Sequence, residues 1–97
     1  MFRHIVLLGF EEGTDSETVD TIVAELRALP GLIPTLRSYV VGTDAGLADG
    51  NADLCAVADF DDVAGYEVYR DHEDHLRVIS DHIRPVLASR TAIQFEL

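Results

Sequence analysis

From Arg3 to Phe10 the chain alternates, placing His4, Val6 and Leu8 on one side and Ile5, Leu7 and Gly9 on the other. Both sides are apolar enough to be covered, which is the pattern of a strand in the middle of a sheet. The period then changes. Val19, Ile22, Val23, Leu26 and Leu29 recur at helical spacing behind Thr14 and Glu17, a hydroxyl and a carboxylate spaced as a capping box, and Pro30-Gly31 closes the run.

Pro34 to Gly42 carries Leu36, Tyr39, Val40 and Val41, β-branched and aromatic residues suited to a second strand. The polar, glycine-bearing stretch from Thr43 to Asn51 reads as a surface hairpin connection, with a lid as the alternative. Ala52 to Phe60 is the third strand, and Asp61-Asp62 supplies a cap and negative charge at the start of a second helix. Leu76, Ile79 and Ile83 predict a helical stretch from about His75 to Arg84, which Pro85 interrupts. Thr91 to Leu97 alternates again as a fourth strand. The order β-α-β-β-α-β is that of a ferredoxin-like α+β sandwich.

Such a sheet carries its helices on one face and leaves the other bare, and the first and third strands are too apolar for that bare face to meet water. A second copy of the same sheet is the economical cover. The expected assembly is therefore a homodimer in which two sheets form a dimeric α+β barrel, each subunit keeping a cavity between sheet and helices.

At 97 residues and 47 % hydrophobic, the chain has room for a single domain, spanning 1–97. A core of this size is thin, which also favours self-association. Eighteen acidic residues face seven arginines and no lysine, for a formal charge of −11, so nucleic acid and anionic membranes are not expected partners. No apolar run reaches the roughly 20 residues of a membrane span, and the N-terminus opens directly into a strand, so a cytoplasmic location is expected. Cys55 is the lone cysteine and lies in the apolar run Leu54 to Ala58, where a small buried thiol is the expected role.

The chemistry concentrates in Tyr69-Arg70-Asp71-His72-Glu73-Asp74-His75-Leu76, which holds two of the four histidines. Imidazole is the side chain best suited to take a proton near neutral pH, and a phenol can donate a hydrogen bond to a developing enolate. Residues 69, 72 and 75 lie three apart, a series that drifts about 60° per step around a continuous helix. Tyr69 and His75 share one pocket only if the helix breaks between them. The structural alternatives are core packing for Tyr66 and Tyr69, and a helix-end position for His72. His82 reads as structural or solvent-facing. Three acids and two imidazoles in Asp71 to His75 are compatible with a metal, but a second ligand pair is missing apart from His4, and no metal site is expected. Phosphate-loop, serine-elbow and dithiol motifs are absent, so no cofactor is implied.

The opening Phe2-Arg3-His4-Ile5-Val6-Leu7-Leu8, the run from Asn51 to Phe60, the Tyr69 to Leu76 segment and the closing Thr91 to Leu97 together resemble the stress-responsive A/B barrel (Dabb) family. The resemblance implies a dimeric α+β barrel. Through members that act as polyketide cyclases, it also implies His75 as a catalytic base, Tyr69 as its catalytic assistant and His4 as a residue of the same pocket; with His4, the neighbouring His72 and Tyr66 are expected to bind substrate. The ligand it implies is a small, largely apolar carbonyl compound. Glu73 stands where the family commonly has proline, and Leu8-Gly9-Phe10 where it often carries a lysine. The expectation is cyclase-like or isomerase-like general-base chemistry. The alternatives are a non-catalytic binding or assembly protein and a cofactor-free monooxygenase on the same barrel.

Overall fold

The computed structural model describes residues 1–97. Strand β1 spans Phe2–Phe10, helix α1 Ser16–Ala28, β2 Ser38–Thr43, β3 Leu54–Phe60, α2 Val63–Asp71, α3 Glu73–Val78 and β4 Leu87–Glu96. The four strands form one antiparallel sheet in the order β2-β3-β1-β4. β1 is central, as its two apolar sides require, and the architecture is ferredoxin-like. β4 starts at Leu87, four residues earlier than the alternation predicts, because the chain turns directly from a 3₁₀ segment, Arg84–Val86, into pairing with β1. Between Gly9 and Phe10 the β1–β4 register shifts, and a side chain at position 9 would run into the hydroxyl of Ser89.

Local chemistry sets the helix starts. Asp15, rather than Thr14, caps α1: its Oδ1 accepts from the Thr18 N–H at 2.8 Å, while the Thr14 hydroxyl donates to the Glu11 carbonyl. A carboxylate one residue nearer the helix reaches the orphan amide better than the hydroxyl does. Asp62 caps α2 in the same way, accepting from Gly65 N–H at 2.9 Å. Arg27, in the last turn of α1, donates to the Val41 carbonyl at 2.7 Å and ties that helix to β2.

The core lies between the helices and one sheet face. Phe60, Ile22, Leu29, Ile33, Leu54 and Val78 are its largest fully buried side chains. Residues 2, 4, 6 and 8 of β1 point into this layer together with Phe60, Ala58, Ala56 and Leu54 of β3, their partners in register. The opposite sheet face carries no helix. Register places Val40, Val57, Ile5 and Ile93 in one row across all four strands of that face, with Val40 61 % and Ile93 58 % exposed. Beside the row, Arg3 and Asp59 form a two-pronged ion pair at 2.8 and 2.9 Å.

The β2–β3 connection is a hairpin fastened by its own polar groups. Asp44 accepts from Gly46 N–H and from the Asn51 amide, and Asp53 accepts from Phe10 N–H. It borders the helix-free face of the sheet and lies away from the cavity described next, so it forms no lid there.

Candidate functional site

The second helical region is broken. His72 ends α2 and begins α3 with φ −64° and ψ 136°, an extended conformation between two helical segments. Glu73 becomes the first helical residue of α3 without a proline to enforce the stop. The local reason is the His72 ring itself, whose Nδ1 accepts from the Asp74 N–H at 3.1 Å, as an Asn or Asp cap would. Its expected place in a binding pocket is corrected by this geometry: His72 is committed to the cap and does not line the cavity.

The break brings together what a continuous helix would separate. Tyr69, in the last turn of α2, and His75, in the first turns of α3, stack with ring centroids 4.1 Å apart and planes inclined by 32°. The Tyr69 ring is also 6.2 Å from His4 of β1, and Tyr66 is 5.1 Å from that same imidazole. His4, Tyr66, Tyr69 and His75 thus line one cavity of about 110 Å³ between sheet and helices, closed by Val6, Leu8, Leu26, Ala56, Ile79 and Ile83. A space of this order accepts a guest the size of a benzene ring.

Hydrogen bonds fix how each polar group presents itself. The Arg70 carbonyl can only accept, so its 3.1 Å contact makes His75 Nδ1 the protonated nitrogen and leaves the Nε2 lone pair unused. Burial holds the His75 imidazole below its ordinary pKa, partly opposed by that carbonyl and reinforced by the nearby charge of Arg90. His4 has the opposite tautomer: the Gln94 amide donates to Nδ1 at 2.8 Å, so the proton resides on Nε2. Burial, then the charges of Arg90 and His75, lower His4 to about 4. At neutral pH the cavity holds two uncharged imidazoles of opposite tautomer.

Tyr69 and Tyr39 pair through their hydroxyls at 3.1 Å. Burial raises both phenols above their ordinary range, so both stay protonated. Two hydroxyl hydrogens serve one mutual bond, which leaves one to donate elsewhere.

Tyr39, Arg70 and Arg90 also line the cavity, and sequence reasoning overlooked all three. For Tyr39 a signal existed, because strand alternation puts it on the same side as Val41. Arg90 lay outside the predicted fourth strand, and only its register opposite Leu8 brings it to the cavity. His82 stays apart from the cavity, 3.9 Å from Glu25. Two acids of the 71–75 segment are engaged locally, Asp71 with Arg70 at 2.9 Å and Asp74 with Arg77 at 3.8 Å, and the fold gathers no three His, Cys, Asp or Glu side chains into a metal-holding group.

The model of the stress responsive A/B barrel domain matches residues 2–97. The chain belongs to the Dabb family. Among solved structures, this Dabb chain is similar to a dimeric ferredoxin-like protein of unknown function from Thermobifida fusca, with 41 % identity, a TM-score of 0.90, and 99 % of this chain and 90 % of that one covered. A dimeric ferredoxin-like protein of unknown function from Bacteroides fragilis shares 20 % identity with a TM-score of 0.88 over 99 % of this chain and 95 % of the other. The hydroxynitrile lyase of Passiflora edulis is 18 % identical with a TM-score of 0.83, covering 97 % of this chain and 90 % of that one, a likeness of fold. No protein with a curated description matches the sequence. No helix of the Dabb chain is long and apolar enough to cross a membrane.

Proposed function

We propose that the cavity is an active site for proton abstraction from a small carbonyl compound, with His75 as the general base. The observation that carries this reading is the Arg70 carbonyl on His75 Nδ1, which leaves a neutral, partly desolvated imidazole with Nε2 as its basic nitrogen in the cavity wall. In the proposed step, Nε2 takes a proton from the carbon next to a carbonyl, and the C–H electron pair moves to the carbonyl oxygen as an enolate. His4, with its proton on Nε2, and the spare hydroxyl hydrogen of the Tyr39–Tyr69 pair are the donors available to that oxygen. The enolate then takes a proton back, as in an isomerase, or attacks a second carbonyl, as in a cyclase.

The apolar row on the helix-free sheet face supports a homodimer, as does the dimeric relative at 41 % identity. Two such faces packed together would form the barrel and leave one cavity per subunit on the outer, helical side.

The test needs no natural substrate. Small enolisable ketones and β-diketones are incubated with the protein in deuterium oxide, and incorporation at the α-carbon is followed by proton NMR. His75→Ala should reduce exchange by about a hundredfold or more, the usual contribution of a positioned base. Equal exchange by the variant would defeat the base assignment and favour a binding role for the cavity.

A further inference from the structure

The chain is strongly acidic, yet none of its eighteen carboxylate side chains lines the cavity of His4 and His75. Each of the other four surface cavities carries at least one, among them Asp44, Glu11, Asp61 and Asp81. The cations are distributed in the reverse sense. Arg3, Arg37, Arg70 and Arg77 are bound to carboxylates and Arg27 to a backbone carbonyl. Arg84 and Arg90 have no such partner, and of these two Arg90 lines the cavity.

Arg90 lies on β4, an edge strand, in register with Leu8 on the helix-facing side of the sheet. It is exposed and lines the cavity at once, which puts it at the rim. Its charge is felt by both imidazoles within. An arginine left unpaired beside a cavity empty of acids, in a protein where carboxylates outnumber cations, is arranged for an anion supplied from outside. The guanidinium fork matches a planar carboxylate with two parallel hydrogen bonds.

We propose that Arg90 is a specificity-determining residue and that the carbonyl compound taken by the cavity carries a carboxylate, held at the rim by Arg90 while its apolar part enters between Val6, Leu26 and Ile79. This rests on reading the cavity as a substrate site. It adds the charge of the substrate, and it turns on a residue outside the proton-transfer groups.

Benzoate and benzamide, equal in shape and different in charge, test it by calorimetric titration of the full-length protein, with the imidazole NMR signals of His4 and His75 reporting that the cavity is the place of binding. Benzoate should bind more tightly than benzamide. Arg90→Gln should weaken benzoate by about tenfold or more and leave benzamide within about twofold, and added salt should weaken benzoate alone. Arg90 has no protein partner to lose, so the variant should melt with the wild type. Equal affinities for the two probes, or an Arg90→Gln variant that binds benzoate unchanged, would overturn the proposal. His75→Ala separates the two readings. Benzoate binding that survives this variant while deuterium exchange is lost supports both. Arg90-dependent benzoate binding with exchange untouched in His75→Ala removes the base and keeps the anion site.

Discussion

The Tyr69 ring lies on the His75 ring at 4.1 Å, across the break at His72, and its hydroxyl reaches away to Tyr39. One side chain therefore both backs the imidazole and joins the cavity's phenol pair. The two roles separate by substitution. Tyr69→Phe keeps the stacked ring and strands the Tyr39 hydroxyl, costing about 1–2 kcal/mol. Tyr69→Ala removes a side chain that is 2 % exposed and should cost about 3–5 kcal/mol, with loss of the fixed His75 orientation. In urea denaturation, the Tyr39→Phe and Tyr69→Phe changes together should cost less than the sum of the two singles, since no hydroxyl is then left alone. Additive losses would show that the hydroxyls are not coupled.

His4 makes stability depend on pH in a defined window. Its imidazole titrates near 6.5 when unfolded and at about 4 in the folded chain, so between these values the unfolded state binds the extra proton. The contribution of neutral His4 is complete above pH 6.5 and is lost as pH falls toward 4. The loss is at most on the order of 3 kcal/mol, reduced by solvent screening of the ring. His4→Gln has no proton to bind, so the difference in unfolding free energy between wild type and variant should narrow or reverse over that window and stay constant above it. His75, also held below its ordinary value, acts in the same direction, and its protonation should set an acid limb of the exchange rate with a midpoint below 6.5.

Elements whose cause is local were legible in the sequence. The two-sided apolar pattern of β1 foretold its central place, and the apolar spacing from Val19 to Leu29 foretold α1. Caps were legible to within one residue, as Thr14 and Asp15 show, because neighbouring oxygens compete for one amide. The break at His72 was foreseen as a condition of the site, but its occurrence depends on a ring nitrogen finding the Asp74 amide, which no periodicity encodes. Arg90 and Gln94 reach the histidines through strand pairing with residues more than eighty positions away, and such register is not written in any window of the chain.

The helix-free face predicts a quaternary change. Val40 and Ile93 stand at opposite ends of the row that crosses the sheet, and both are largely exposed in the single chain. Sedimentation should give about twice the 10.7 kDa chain mass at micromolar concentration. Ile93→Glu combined with Val40→Glu would bury a carboxylate at each end of the row in any face-to-face pair, at several kcal/mol per unpaired charge. The double variant should sediment as a monomer with its circular dichroism retained. A wild-type chain that sediments at its own mass would refute the paired-face assembly.

Glu73 offers a test of the break itself. It is the first helical residue of α3, a position where the backbone N–H has no partner within the helix and where proline is well tolerated. His72 before it already has φ −64° and ψ 136°, the extended conformation that a following proline favours. Glu73→Pro should therefore fit without rearrangement and stabilise the chain by about 0.4–1 kcal/mol by restricting the unfolded state. Were α2 and α3 instead one continuous helix in solution, the same proline would sit in its interior and cost about 3 kcal/mol. The sign of the shift in melting temperature distinguishes the two. A raised melting temperature with the His75 imidazole signal unmoved would establish the break as the feature that turns Tyr69 and His75 into one cavity.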